Sequence, residues 1–276
     1  MNRQSELEKQ NQKTLDNFRI TPSGESILVQ LGINPTAIKT IKPPWKRNKY
    51  RTVVNWLMKY QPLFDVTNLK KVKSLVEAFY HLCEVEAWKE AGCLLSVILN
   101  TPTNEKLHNQ LQTWGYYREQ IDLYSQVLRK LNSEWDATCL GGLGNAHQFL
   151  GDYTRAIEFH QECLAIAREK GYRKGEGNAL GNLGNAYSSL GDYTRAMNLY
   201  QQDLVIAREI GNRRGEGNLA ILHDKLGDRN LDLEYCNFAL SIATELEIPI
   251  QKACIKLKQQ LESSEKYFAK QLLIWL

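Results

Sequence analysis

The chain has 276 residues, which at roughly 150 residues per domain allows one or two ordinary domains. Hydrophobic residues make up 43% and charged residues 24%, and the net charge is +4, so the composition excludes global disorder and the charge alone indicates no partner class. The longest mostly apolar stretch, Cys93–Leu99 with Ser96 inside it, is far shorter than the ~20 residues of a membrane span. Six dispersed cysteines without a CxxC pair, a polar start without a leader and few strand-like segments predict an all-α, cytoplasmic protein with reduced thiols and no membrane partner.

Two segments precede any internal repeat. Residues 1–20 are polar and predict a tail, and residues 21–70 predict a helical N-terminal region that contains a basic linker. Residues 39–51 carry six cations and no acid, with Trp45 and Tyr50 interleaved, and Pro43-Pro44 marks either a linker or a helix start. Because basic and aromatic residues together can bind nucleic acid, that function stays open as an alternative, although a linker or simple packing is favoured.

The second half of the chain is built from repeats of about 40 residues. Four short sequences recur at an offset of 40: LGNA at 143–146 and 183–186, GDYTRA at 151–156 and 191–196, IARE at 166–169 and 206–209, and GEGN at 175–178 and 215–218. Weaker copies at an offset of 36 begin at Thr113 and Gly217, and Val76–Leu99 is the loosest copy. Five units are therefore predicted, with degenerate units over 71–132 and clear units over 133–248.

Each unit is predicted to be a pair of antiparallel helices. Gly151 suits the left-handed position after the first helix, Asp152 suits the N-cap of the second, and the link is too short for any other arrangement. Glycines inside the first helix, Gly144 and Gly184 with Gly141 and Gly181, each cost roughly 1 kcal/mol of helix propensity against alanine. Such glycines are favourable only where another helix packs very close. The exchange of His160 for Tyr200 at equivalent places predicts packing between the paired helices rather than catalysis.

This pattern resembles the tetratricopeptide repeat (TPR), with Leu-Gly in the first helix, the turn glycine, Tyr153 or Tyr193, and Ala156 or Ala196 as its landmarks. The spacing of 40 is similar to a longer-helix subtype of Pins-type G-protein-signalling modulators and bacterial signalling proteins. The resemblance implies a right-handed superhelical array of antiparallel helix pairs, an α-solenoid. The helix-ending proline of the 34-residue pattern is missing, so the second helix of each pair is expected to run longer.

The resemblance also implies a binding groove. The residue after Leu-Gly faces the concave side in such arrays, and a carboxamide can pair with any peptide backbone because it both donates and accepts. These positions, with two that extend the row, are Asn109, Asn145, Asn185, Asn182 and Asn178. The alternative is that the asparagines bridge neighbouring helices.

Cations cluster in the loops between repeats. Arg173, Lys174, Arg213 and Arg214 would favour an acidic peptide through charge-assisted hydrogen bonds. The alternative is a solvated surface, or pairing with the nearby Glu176 and Glu216.

No catalytic residues, metal ligands or cofactor site can be assembled: GEGNALG at 175–181 lacks the spacing and context of a phosphate loop, and isolated His/Cys pairs are weak metal signals. The sequence therefore predicts a non-catalytic scaffold or adaptor that binds an extended peptide in the concave groove, with an acidic peptide as one option. The alternatives are a sensor of a larger bacterial signalling machine with a separate ATPase or protease, and a nucleic-acid-associated protein. After Pro249, residues 249–276 predict a capping helix whose apolar LLIWL end folds back, or docks on a partner or a second copy.

Overall fold

The computed structural model describes residues 20–63 and 65–211. Within these ranges the chain forms eleven α-helices and one 3-10 turn, Ile38–Thr40, and its β-structure is the isolated antiparallel bridge between Ile98 and Lys106. The helices are α1 Gly24–Gln30, α2 Pro44–Lys59, α3 Asn68–Lys71, α4 Lys73–Glu84, α5 Trp88–Leu95, α6 Leu107–Thr113, α7 Tyr117–Val127, α8 Ser133–Phe149, α9 Tyr153–Glu169, α10 Arg173–Ser189 and α11 Tyr193–Glu209. The all-α prediction is confirmed. The fifth predicted unit and the predicted capping helix lie outside the described residues.

Two compact units divide the chain between Gly142 and Leu143, inside α8. In the first unit, α2 begins with Pro44 at its first turn, buries Val53 and Leu57, and packs against α4. Proline suits this position because its missing N–H would have no partner in the helix. Residues 44–51 are therefore helical, so the linker interpretation is wrong for them and the helix-start interpretation of Pro43-Pro44 is confirmed.

The weaker copies in the first unit also form helix pairs. Trp88 begins α5 and Ala91 is fully buried, as their alignment with Tyr153 and Ala156 predicts. The apolar run that ends at Leu99 is not one helix, because α5 stops at Leu95 and Leu99 N–H donates to Glu105 O at 2.9 Å. The β-branched Val97 and Ile98, just before Leu99, favour extended backbone.

The second unit reproduces the predicted turn. Gly151 and Gly191 both have φ +82°, a left-handed value that a side chain would disfavour. Aspartate side chains cap both second helices. Asp152 Oδ1 accepts the backbone N–H of Arg155 at 3.3 Å at the start of α9, and Asp192 Oδ1 accepts that of Arg195 at 3.1 Å at the start of α11. Each second helix has 17 residues, so the prediction of a longer second helix is confirmed.

Glycine allows the paired helices to approach closely. A Cβ added at Gly144 would overlap the His160 ring, and one added at Gly184 would overlap the Tyr200 ring. His160 is 0% exposed and Tyr200 is 3% exposed, so both rings lie between the helices of their pair. The predicted close packing is confirmed at Gly144 and Gly184, and so is the prediction that His160 and Tyr200 pack between the paired helices.

An arginine–glutamate network joins three helices of the second unit. Arg168 Nε at the end of α9 donates to Glu176 Oε1 at 2.9 Å, and Arg173 Nη1 donates to Glu176 Oε2 at 2.6 Å. Arg173 also pairs with Glu209 at the end of α11. Burial would raise the pKa of Glu176, but the hydrogen bonds from Arg168 and Arg173 outweigh burial and hold the pKa below its usual range. The network ties the start of α10 to the ends of α9 and α11.

Gly184→Ala tests the close approach. Alanine is worth about 1 kcal/mol more than glycine in a helix, but the new Cβ must displace the Tyr200 ring, and overpacking typically costs 1–3 kcal/mol. We expect the variant to be less stable by about 1 kcal/mol in urea unfolding of the full chain. Ser189→Ala, at an exposed position of α10, is the control and should change stability by less than about 0.5 kcal/mol. A Gly184→Ala chain that is more stable than the wild type by the full helix-propensity gain of about 1 kcal/mol would contradict the close packing.

His160 makes the fold sensitive to acid. Burial lowers the pKa of His160 to about 4, so the folded state holds the neutral ring. This contribution to stability is complete above the unfolded value of 6.5 and is lost as the pH falls from 6.5 towards 4. Between pH 7.5 and 5 the loss amounts to about 2 kcal/mol.

The matched variant is His160→Tyr, which copies the residue of the next repeat. Urea unfolding at both pH values should show that the free energy of unfolding falls less in the variant than in the wild type. His108, whose pKa is also lowered to about 4 by burial and by Lys106, is retained in both chains and cancels from the comparison. Equal losses in the two chains would show that His160 does not titrate as its burial requires.

Candidate functional site

One side of α10 is polar and carries no carboxylate. Its accessible residues, spaced three or four apart, form what we call the α10 polar face: Lys174, Asn178, Asn182, Asn185 and Ser189. Lys174, Asn178 and Ser189 are exposed, and the other two asparagines are half-buried. The single carboxylate of this helix, Glu176, is buried and paired with Arg168 and Arg173. The face therefore offers amides, a hydroxyl and a cation.

A residue of the second helix in its pair holds the Asn185 side chain. Tyr200 Oη donates a hydrogen bond to Asn185 Oδ1 at 2.7 Å. Burial, and to a lesser extent Asp203, raises the pKa of Tyr200, so the hydroxyl keeps its proton and remains a donor. The bridging interpretation therefore describes the oxygen of Asn185, while its amide nitrogen is left for another partner.

Asn145 occupies the same place in the preceding repeat but has a different neighbour. It is half-buried on α8, and His160 stands where Tyr200 stands in the next pair. Within the part of the chain that the structure describes, neither nitrogen of His160 has a hydrogen-bond partner. The amide of Asn145 is therefore not held by the second helix.

Asn109 lies in the first unit, on α6, and is exposed. His108 stands in the place of the close-packing glycine, and its Nδ1 lies 2.7 Å from Tyr124 Oη. Tyr124, the counterpart of Tyr200, therefore has His108 as its hydrogen-bond partner in place of Asn109. The three asparagines share a sequence position, but their surroundings differ.

The predicted loop cations also differ from one another. Arg173 is paired with Glu176 and Glu209, as the pairing alternative foresaw for Glu176, whereas Lys174 is exposed. Arg213 and Arg214 lie outside the described residues, as does Glu216. Lys174 is therefore the cation of the α10 polar face.

The basic segment of the first unit is partly engaged within the fold. Lys49 Nζ lies 2.7 Å from Glu84 Oε2, and Arg47 Nη1 donates to Lys39 O at 3.3 Å. Trp45 remains 56% exposed. Two of the six cations are therefore committed to contacts inside the unit.

The described residues hold no group of three side chains suited to a metal ion. Their cysteines are free thiols, and burial raises the pKa of Cys83 and Cys139 to about 12, so these thiols are protonated and unreactive. None of the described helices combines the length and the apolar character that crossing a bilayer requires.

Sequence reasoning missed the contact between Tyr200 and Asn185, because it treated Tyr200 as a packing residue. A signal existed. An asparagine is followed fifteen residues later by a ring at 109 and 124, at 145 and 160, and at 185 and 200. Spacing alone does not show that the hydroxyl reaches the amide, since that depends on how closely the two helices pack.

Comparison with known proteins identifies the fold. The family model described as tetratricopeptide repeat matches residues 135–209. Aspartyl phosphate phosphatase F from Bacillus subtilis is similar in structure, with a TM-score of 0.59 at 15% identity over 85% of this chain and 62% of that chain. The apo form of RapI has a TM-score of 0.57 at 12% identity over 90% and 74% of the two chains.

BtubC (BKLC) from P. vanneervenii is similar with a TM-score of 0.52 at 17% identity, over 73% of this chain and 93% of that chain. No curated protein sequence matches the chain. At these identities the likeness concerns the fold alone. The chain therefore carries tetratricopeptide repeats over residues 135–209, within an all-α fold of the TPR-like solenoid type.

Proposed function

We propose that this protein is a cytoplasmic, non-catalytic scaffold or adaptor that binds an extended, acidic peptide along the first helices of its repeats. The observation that carries the proposal is the α10 polar face, where three asparagines and Lys174 are accessible and the helix's one carboxylate is buried. Such a face supplies N–H donors without repelling a negatively charged ligand.

The asparagines suit a peptide whose side chains vary. A carboxamide recognises the peptide backbone, so binding depends on an extended conformation more than on sequence. Asn178, Asn182 and Asn185 rise along α10 over about 10 Å, at 1.5 Å per residue, which matches three residues of extended chain. The affinity of one such site is expected to be on the order of micromolar.

Acidic residues in the ligand are favoured by Lys174, which is exposed, while the other two predicted loop cations, Arg213 and Arg214, lie outside the described residues. Arg173 contributes indirectly, because it neutralises Glu176 and Glu209. The nucleic-acid alternative has less support, since Lys49 and Arg47 already have partners within their unit.

An array of immobilised 12-residue peptides tests the ligand class. Matched peptides differ only in carrying Asp/Glu, Asn/Gln or Lys/Arg at the same positions, and the tightest binder is then measured by fluorescence polarisation. We expect the acidic set to bind about ten times more tightly than the neutral set at physiological salt. Preference for the basic set would overturn the proposal.

Lys174→Glu should weaken binding of the selected acidic peptide about tenfold, because it reverses the one cation on the α10 polar face. Lys89→Glu, an equal charge change at an exposed position of α5, is the matched control and should bind as the wild type does. Equal weakening in both variants would mean that only net charge matters.

The natural partner is sought by capture from lysate with the wild type and with the Asn109/Asn145/Asn185→Ala variant, after circular dichroism shows equal helix content. A partner that the wild type captures and the variant loses supports binding along the first helices. A partner that both capture equally contradicts it.

A further inference from the structure

We infer that Tyr200 is a positioning residue that orients the Asn185 amide, so that Asn185 presents only N–H donors and reads a main-chain carbonyl of the bound peptide. The inference rests on the proposed function and deepens it. It assigns different recognition to two asparagines that the sequence makes equivalent.

The oxygen of the Asn185 amide is already used. Tyr200 Oη donates to Oδ1 at 2.7 Å from the second helix of the pair. The amide nitrogen lies on the opposite side of the planar carboxamide group and makes no hydrogen bond within the described residues. Because Asn185 is half-buried and belongs to the α10 polar face, its two N–H groups are the part available to a ligand.

Burial of the Tyr200 ring and its hydrogen bond together fix the orientation of the Asn185 amide. The Tyr200 ring is held in the space above Gly184, where a Cβ would overlap it, and the residue is 3% exposed. Turning the amide over would bring an N–H group, in place of Oδ1, to Tyr200 Oη. The hydroxyl oxygen can accept that N–H, but the buried hydroxyl proton would lose the acceptor that it has now. An unsatisfied buried donor costs more than an ordinary hydrogen bond contributes, so the observed orientation is strongly preferred.

The preceding repeat lacks an equivalent hydrogen bond from the second helix to its asparagine. Its ring is His160, which packs on Gly144 as Tyr200 packs on Gly184, yet neither of its nitrogens contacts an acceptor or donor among the described residues. Asn145 can therefore turn to present either its oxygen or its nitrogen. The same peptide would meet a fixed donor at Asn185 and an adaptable amide at Asn145.

A fixed donor selects an acceptor in the ligand. An extended peptide offers its carbonyl oxygens at regular intervals whatever its sequence. We therefore assign one main-chain carbonyl of the ligand to Asn185, with its register set by that contact. Acidic side chains are left to Lys174.

Asn185→Asp separates the two roles of this residue. The aspartate keeps the acceptor that Tyr200 requires and removes both N–H donors. With the acidic peptide selected on the array as probe, we expect urea stability close to that of the wild type and binding at least tenfold weaker. Asn145→Asp introduces the same charge at the equivalent position. Because a side-chain oxygen at this position can still accept an N–H group of the ligand, we expect binding to weaken less than threefold.

Equal losses in the two Asp variants would assign the effect to charge repulsion and overturn the inference. Binding by Asn185→Asp equal to that of the wild type would do the same while leaving the proposed function intact. If the wild-type chain binds no peptide on the array, the proposed function and this inference both fail.

Tyr200→Phe tests the positioning role directly, because it keeps the ring above Gly184 and removes the hydroxyl. We expect binding of the same peptide to weaken about threefold to tenfold, and the double variant with Asn185→Asp to bind no more weakly than Asn185→Asp alone. Additive losses would show that Tyr200 acts independently of Asn185.

A thioamide scan of the probe supplies a readout that general loosening of the fold would not produce. Sulfur is a weaker acceptor than oxygen, so replacing one carbonyl at a time should reveal a position that matters in the wild type. That position should lose its effect in Asn185→Asp. A scan with the same profile in both chains would contradict the assigned contact.

Discussion

The structure of the repeats depends on one close approach, at which a ring from the second helix occupies the space that a side chain on the first helix would fill. Gly144 and Gly184 provide that space, and His160 and Tyr200 fill it. The small Ala156 and Ala196, both fully buried, belong to the same tight pairs. A pair packed in this way still has apolar surface to bury, which Leu180 and Leu183 of α10 do in one cluster with residues of α9 and α11.

The same constraint connects packing to recognition. The asparagine follows directly after the glycine, so a ring that lies above the glycine also lies beside the amide. With tyrosine at this place the ring carries a hydroxyl to Asn185, and with histidine it offers nothing to Asn145. In the first unit His108 replaces the glycine and binds the tyrosine itself, which leaves Asn109 without that neighbour. A single substitution in the core thus changes what the accessible face can do.

Electrostatics of the face are also decided inside the fold. The accessible side of α10 is free of carboxylates because Glu176 is buried between two arginines, and one of these, Arg173, also pairs with Glu209. The arginine that the sequence assigns to a ligand is therefore committed to the protein, and the adjacent Lys174 remains exposed. Ion pairs that keep negative charge away from a face shape its selectivity as much as a cation on the face does.

The helix pairs, their turns and the places where they approach closely follow from the sequence alone. These depend on local chemistry that can be read from spacing: a left-handed glycine at 151 or 191, an aspartate cap, and glycines that are costly in a helix unless a neighbour needs the room. The sequence also identified the asparagine row, although only as residues that share a position.

Packing decided the start of α2 at Pro44, where a linker was the favoured interpretation. Proline is compatible with a linker and with a helix start, and the apolar residues of α2 pack against α4. Tertiary packing also brings Arg173 to Glu209, which is 36 residues away. It places the Tyr200 hydroxyl on Asn185, whereas His160 makes no hydrogen bond to Asn145. Hydrogen bonds form within a range of a few tenths of an ångström, and that distance is set by how closely two helices pack, which no spacing along the chain contains.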